Sequence, residues 1–93
     1  MIGVLILHLH LPACTSLKEK RHRLKPLLVH LQRNFNLSVA EMDYQDRWQE
    51  ALVACALVNR DPTFIHSSLQ KVIHWIEQNW SEGWILSERI ELL

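Results

Sequence analysis

The residues best suited to chemistry form a short polar segment between two apolar runs, AEMDYQDRWQE at positions 40–50. Its carboxylates, amides and indole could bind a metal ion or a polar ligand, and an aspartate there could act as a general base. The alternative is a hairpin whose aspartate side chains cap backbone N–H groups while Trp48 packs on one of the two predicted helices. The residues on which the ligand-binding hypothesis depends are Asp43, Gln45, Asp46, Trp48 and Gln49.

Binding is favoured over catalysis for this segment. No nucleophile paired with a base accompanies it. The chain has only two glycines, so the Walker and dinucleotide-binding fingerprints are absent. We therefore predict no catalytic residue and no cofactor, and we expect a binding protein rather than an enzyme.

A second group of candidate residues is a basic run at the start of a predicted helix. Residues 1–33 hold six cations and one carboxylate, whereas residues 34–93 hold four cations and nine carboxylates. Helix N-termini attract anions, so clustered cations there favour contact with phosphate, as in RNA. The alternative is a solvated face that the carboxylates of the polar segment partly neutralise. The anion-binding candidates are Lys18, Lys20, Arg21, Arg23 and Lys25.

Two histidines and two cysteines offer weaker signals for a metal or redox site. His8 and His10 share one face of a predicted strand, a spacing that can chelate a metal, but two ligands are too few. A metal-free pair on the sheet surface is therefore favoured. Cys14 and Cys55 lack CxxC spacing and are expected to be free thiols.

The elements that must position these residues follow from periodicity and capping signals. Ser16 and Glu19 form a capping box, and Asp61-Pro62 is a typical helix start. Pro26 is expected to kink the first helix. Alternating or continuous apolar runs predict strands, and apolar residues at helical spacing predict helices. The predicted elements are strands at 2–11, 36–43, 48–58 and 84–93, and helices at 17–34 and from 62 onward.

This β-α-β-β-α-β order predicts one ferredoxin-like α+β domain over residues 1–93. The first and third strands are apolar on both faces, so we place them in the centre and predict sheet order 4-1-3-2 with both helices on one face. Three segments then converge on one end of the sheet: PACTSLKEKR, EMDYQDRWQ and NWSEGW. We expect any functional site at that end. An RNA recognition motif proper is disfavoured because the third strand offers no aromatic residues.

The segments SLKEKR and VAE-x-D-x-QD-x-WQ, the latter at positions 39–49, resemble the YlxP-like family of small uncharacterised bacterial proteins. The resemblance extends over essentially the whole chain and implies a ferredoxin-like fold. It implies no established activity, and therefore no catalytic residue. Members are often encoded beside transcription- and translation-factor genes, which implies a role around RNA or ribosomes. This chain departs from the family pattern at Pro26 and at LPAC before the helix cap.

Hydrophobic patterning also bears on location and assembly. The longest apolar run, Met1 to Leu7, is too short to span a membrane and lacks the features of a signal peptide, so we expect a cytoplasmic protein. The first strand is apolar on both faces, yet helices cover only one face of such a sheet. We therefore predict a homodimer through the open sheet face. RNA or ribosome-associated factors are further expected partners; DNA and membranes are not.

Overall fold

The computed structural model describes all residues 1–93 and contains four strands and two helices in the predicted order. The β-α-β-β-α-β arrangement confirms the ferredoxin-like α+β prediction. Each predicted boundary lies within two residues of the observed one. The elements are β1 (Ile2–His10), α1 (Leu17–Phe35), β2 (Ser38–Asp43), β3 (Glu50–Val58), α2 (Pro62–Asn79) and β4 (Trp84–Leu92).

The four strands form one antiparallel sheet in the order β2-β3-β1-β4, as predicted. β1 and β3 pair without interruption from Ile2↔Val58 to His10↔Glu50. The two edge strands each carry an irregularity, opposite His8/Leu9 in β4 and at Glu41/Asp43 in β2. Irregular pairing is common at sheet edges because an edge strand has neighbours on one side only.

Strand alternation divides the sheet into a buried face and an open face. The leucines of β1 point toward the helices, and every second residue of β3 does the same. Each buried leucine stabilises the fold by about 1.5–3 kcal/mol relative to exposure. The sheet residues of this core are Leu5, Leu7, Leu9, Ala51, Val53, Cys55 and Leu57.

Helix α1 begins at an N-cap and is continuous through Pro26. Ser16 is extended, and its Oγ accepts a hydrogen bond from the backbone N–H of Glu19 at 3.0 Å. Pro26 lies on the exposed side, where water can reach the carbonyl that its missing N–H leaves unpaired. Asn36 ends the helix in the left-handed conformation, with φ of 53°.

Helix α2 packs closely on β1. Asp61 Oδ1 accepts a hydrogen bond from the N–H of Thr63 at 3.0 Å, and Pro62 occupies the first turn, as predicted. Gly3 allows the close approach, because a Cβ at that position would collide with the side chain of Ile65. The buried stripe of α2 is Ile65, Leu69, Val72, Ile73 and Ile76.

Candidate functional site

The loops at one end of the sheet, residues 11–16, 44–49 and 80–83, lie together as the topology requires, and we refer to this region as the hairpin end. Leu11 N–H donates to the carbonyl of Gln49 at 2.9 Å, and Gln49 Nε2 donates to the carbonyl of Cys14 at 3.4 Å. Ala13 and Tyr44 both adopt positive φ, at 58° and 64°. This conformation is uncommon for residues other than glycine, so the tight course of these loops is maintained by the surrounding contacts.

Lys20 is a buried cation that fastens α1 to the hairpin. Its side chain is 2% exposed. The Nζ atom donates to the carbonyl of Tyr44 at 2.7 Å and lies 2.7 Å from Glu41 Oε2. That carboxylate oxygen is itself buried and has no other polar partner. A buried charge is costly unless it is paired, so this ammonium is committed to the fold.

Arg23 ties the remaining loop to the same end. Nε donates to Glu82 Oε2 at 2.8 Å, Nη2 to the Glu82 carbonyl at 2.6 Å, and Nη1 to the Pro12 carbonyl at 3.0 Å. Burial opposes the charge, but the hydrogen bonds to Glu82 and Cys14 outweigh it and raise the pKa of Arg23. The guanidinium therefore stays charged and joins the loops after β1 and α2.

Glu19 strengthens the same corner through its carboxylate. Oε2 accepts hydrogen bonds from Thr15 N–H at 3.1 Å and Thr15 Oγ1 at 2.9 Å. These bonds, the backbone one first, lower the pKa of Glu19. One half of the predicted capping box, the bond from Glu19 N–H to Ser16 Oγ, is present, whereas the reciprocal bond is shifted by one residue because the Glu19 carboxylate accepts from the N–H of Thr15 rather than that of Ser16.

The other four lysine and arginine residues of α1 point away from the sheet. We call them the outer cations: Lys18, Arg21, Lys25 and Arg33. All four are exposed, and none lies within 4.0 Å of a carboxylate oxygen. A shallow groove of about 540 Å³ runs along this side of the helix. It is lined by Arg21, His22, Lys25, Pro26, Val29, His30, Arg33 and Asn34.

The structure therefore divides the predicted anion-binding set. Lys18, Arg21 and Lys25 lie together on the outer side of α1, whereas Lys20 and Arg23 form internal contacts at the hairpin end. Helical spacing explains the difference. Lys20 precedes the buried Leu24 by four residues and Leu27 by seven, so it falls on the buried stripe. The sequence contains that signal, although the clustering of charge obscures it.

The polar segment forms a tight turn with few mutual contacts among the candidate ligand-binding residues. Asp43 Oδ1 accepts a hydrogen bond from Tyr44 N–H at 2.7 Å, and Gln45 Nε2 donates to the Glu41 carbonyl at 3.4 Å. Asp46 makes no side-chain hydrogen bond or ion pair in the structure. Trp48 is 51% exposed and does not pack into the core. A shallow groove of about 330 Å³ runs along residues 46–50.

The two histidines of β1 have separate partners on the open face. His8 Nε2 lies 2.9 Å from Glu50 Oε2, and this hydrogen bond is the largest cause of the lowered pKa of Glu50. The ring of His10 lies 4.9 Å from that of Trp84. No group of three or more His, Cys, Asp or Glu side chains is arranged to hold a metal ion.

Sequence reasoning did not single out Glu50, Tyr44 and Arg47 as part of one cluster. Tyr44 lies 5.3 Å from the His8 ring, and the Arg47 guanidinium sits 4.5 Å from the Tyr44 ring centre. Arg47 also lies 3.3 Å from Glu50 Oε2. These contacts depend on the pairing register of β1 with β3, which no local pattern specifies.

Trp75 and the two cysteines have mainly structural surroundings. Trp75 stacks on His30 with ring centres 3.7 Å apart, which joins α2 to α1. Cys14 and Cys55 are free and buried, and burial raises the pKa of Cys55 to about 12. A thiol with such a raised pKa, as in Cys55, is unreactive near neutral pH.

Neither helix combines the length and apolar character that a membrane-spanning helix requires.

Comparisons with known proteins identify relatives but no activity. Residues 2–89 match a family described as "Protein of unknown function (DUF503)". The uncharacterized protein YlxP of Bacillus subtilis (strain 168) is 40% identical over 62 residues, which is 67% of each chain. A crystal structure of a protein provisionally assigned as a transposase, from Deinococcus radiodurans R1, covers all of this chain and 78% of its own. Its identity of 15% and TM-score of 0.46 carry no functional argument.

Proposed function

The chain belongs to the DUF503 family, which includes proteins similar to YlxP and has no known function, and we propose that it is an accessory protein that binds RNA or a ribonucleoprotein through α1. The proposal concerns binding alone, with no chemical step. Its setting is the cytoplasm. The observation that supports it best is the set of exposed, unpaired cations on one side of a helix.

The charge on the outer side of α1 favours a polyanion. Lys20 and Arg23 have internal carboxylate partners, so their charges are largely neutralised within the fold. The outer cations have none, and Glu19 is the only carboxylate on this helix. They are distributed over about 22 Å of helix at roughly 1.5 Å per residue, which suits a chain of phosphates better than one small anion.

The shape of this surface favours backbone contact over base recognition. The groove beside the outer cations is shallow, and most of the residues that line it have polar or charged side chains. No tryptophan, tyrosine or phenylalanine lines it, so stacking on unpaired bases would contribute little. Binding of this kind is electrostatic, has low sequence specificity and weakens steeply as salt concentration rises.

Fluorescence anisotropy with a labelled ribosomal RNA fragment, over a range of salt concentrations, tests the proposal. The Lys18→Gln, Arg21→Gln, Lys25→Gln triple variant removes three exposed charges. The salt slope should fall by about 0.7 for each phosphate that the variant no longer neutralises, or about 2 in all, if the RNA is single-stranded. Arg60→Gln with Lys71→Gln is the control, because both cations are exposed and unpaired and lie away from α1, Arg60 in the loop before α2 and Lys71 on α2. Absence of wild-type binding at low salt would rule the proposal out.

A second candidate function is a ligand-binding site at the hairpin end, with Asp43, Asp46 and Trp48 as its first residues. The groove along residues 46–50 and the half-exposed indole of Trp48 favour it. A metal or small polar metabolite bound there should change the fluorescence of wild-type protein but not that of Trp48→Phe. No wild-type response across a screen of metals and metabolites would count against this site.

A further inference from the structure

The open face of the sheet has a ridge and a furrow lying side by side. On β1, the branched side chains of Val4 and Ile6 stand on this face and form the ridge. On the neighbouring β3, Ala54 and Ala56 contribute only methyl groups and form the furrow. The register pairs Val4 with Ala56 and Ile6 with Ala54, so the ridge and the furrow lie side by side at the same position along the strands.

A ridge beside a furrow is complementary to a second copy of itself. A two-fold axis that lies in the interface, parallel to the strands and midway between β1 and β3, exchanges the two strands. Each ridge then lies over the furrow of the partner subunit, as interdigitating side chains do between packed sheets. A two-fold dimer of this kind uses the same surface on both copies, so no free copy of that surface remains to bind a third chain.

The charges at the border of this face favour a neutral partner. Arg89 Nε lies 2.9 Å from Glu91 Oε1, and Arg47 is paired with Glu50. Among the aspartate, glutamate, lysine and arginine residues of the strands on this face, only Asp43 lacks a partner of opposite charge. Nucleic acid would gain nothing electrostatically here, in contrast to the outer side of α1.

The face is also large enough for a specific interface. Three of its strands have nine residues each. Nine residues extend about 30 Å and four strands span about 19 Å, which gives each copy roughly 550 Å² of plane. Two copies together therefore cover about 1,100 Å², above the roughly 1,000 Å² expected of a specific interface. Half-exposed Trp84 and Met42 add apolar surface near its borders.

We propose that a second copy of this chain docks face to face on the open sheet, with the β1 ridge of each copy seated in the β3 furrow of the other. This proposal is independent of RNA binding, because it uses the opposite side of the molecule. It specifies a two-fold axis and a register, and each of these can be tested separately.

Light scattering after size exclusion tests the dimer itself. Wild-type protein should have twice its chain mass of 11.0 kDa at micromolar concentration. Ala56→Glu should raise the dimer dissociation constant at least tenfold, since its carboxylate reaches water in the monomer but would be trapped in the dimer. Phe64→Glu, an equally drastic change at a half-exposed position on α2, should have no such effect. Circular dichroism confirms that each variant is folded.

An exchange of ridge and furrow tests the register. Ile6→Ala removes part of the ridge and Ala54→Ile fills part of the furrow, so each should weaken dimerisation. The double variant should recover at least half of the lost affinity, because the two-fold places residue 6 over residue 54 of the partner subunit. A wild-type monomer, a dimer insensitive to Ala56→Glu, or a double variant no better than the weaker single one would overturn the proposal.

Discussion

Lys18 and Lys20 are two residues apart in one helix, yet they occupy opposite environments. The Lys20 ammonium is buried against a carbonyl and a carboxylate, whereas Lys18 is exposed and has no charged partner. The same contrast separates Arg23, which joins two loops, from Arg21, which joins none. A run of charges in a sequence therefore separates into two groups once a helix forms. Each residue of a helix is rotated by about 100° from the one before, so residues two positions apart lie on nearly opposite sides.

The largest change in stability that this contrast predicts follows from replacing the buried Lys20. Lys20→Met leaves Glu41 buried without its cation, and we expect the free energy of unfolding to fall by about 3 kcal/mol. The Glu41 side chain is 22% exposed, which keeps the cost toward the lower end of the usual range. Denaturant unfolding measures the change.

The double variant Lys20→Met, Glu41→Leu sharpens this test. Removing both charges should restore more than half of the lost stability, since no unpaired charge remains. Lys18→Met is the matched control and should change the free energy of unfolding by less than about 0.5 kcal/mol. Equal losses for Lys18→Met and Lys20→Met would contradict the division between inner and outer cations.

On the outer side of α1, the largest change in the free energy of unfolding should come from replacing Pro26, which alters backbone hydrogen bonding, rather than from replacing a charged residue. Pro26 removes a hydrogen bond inside the helix at a cost of about 3 kcal/mol, partly offset by roughly 0.4–1 kcal/mol from a more restricted unfolded chain. We therefore expect Pro26→Ala to raise the free energy of unfolding by about 2 kcal/mol. Thermal unfolding would show this as a higher Tm.

Pro62→Ala is the control for that stabilisation. Pro62 lies in the first turn of α2, where no N–H donor is needed and a fixed φ is favourable. Its replacement should leave stability unchanged or slightly lower. If Pro26→Ala also lowers stability, α1 depends on the proline in a way that helix propensity does not capture.

A smaller change in stability should appear at acidic pH, and it should depend on Glu19, the one carboxylate within the basic run. Hydrogen bonds from Thr15 lower the pKa of Glu19 in the folded protein. Glu19 therefore stabilises the fold above its unfolded pKa of about 4.3, and this contribution is lost as pH falls through the lower folded pKa. Glu19→Gln should reduce the slope of stability against pH below about 4.3 and leave the slope near pH 7 unchanged. Urea unfolding at several pH values measures this slope. If the slope below about 4.3 is the same in Glu19→Gln and in the wild type, Glu19 does not contribute to the pH dependence of stability.

The smallest effect on stability is expected for the outer cations. Arg21→Gln, Lys25→Gln and Arg33→Gln should each change the free energy of unfolding by less than about 0.5 kcal/mol, since none has a charged partner to lose. The same variants should weaken RNA binding under the proposed function. Substantial destabilisation by any of them, measured by denaturant unfolding, would mean that the outer cations also serve the fold.

Much of the architecture was predictable from local patterns. Alternation in β1, the cap at Ser16 and the Asp61-Pro62 pair each depend on residues within a few positions of one another. The two-faced apolarity of β1 and β3 was enough to place them at the centre of the sheet. These features persist in the folded chain because the periods of a strand and a helix are fixed by backbone geometry.

The candidate sites were predictable only in part. The sequence alone determined the elements, the strand order, and the end of the sheet where three loops meet. The tertiary structure decided that Lys20 pairs with Glu41 and that His8 meets Glu50. It also decided that Trp48 remains exposed. These partners are more than twenty residues apart, so their contacts depend on strand register and helix rotation, which are set only when the whole core packs.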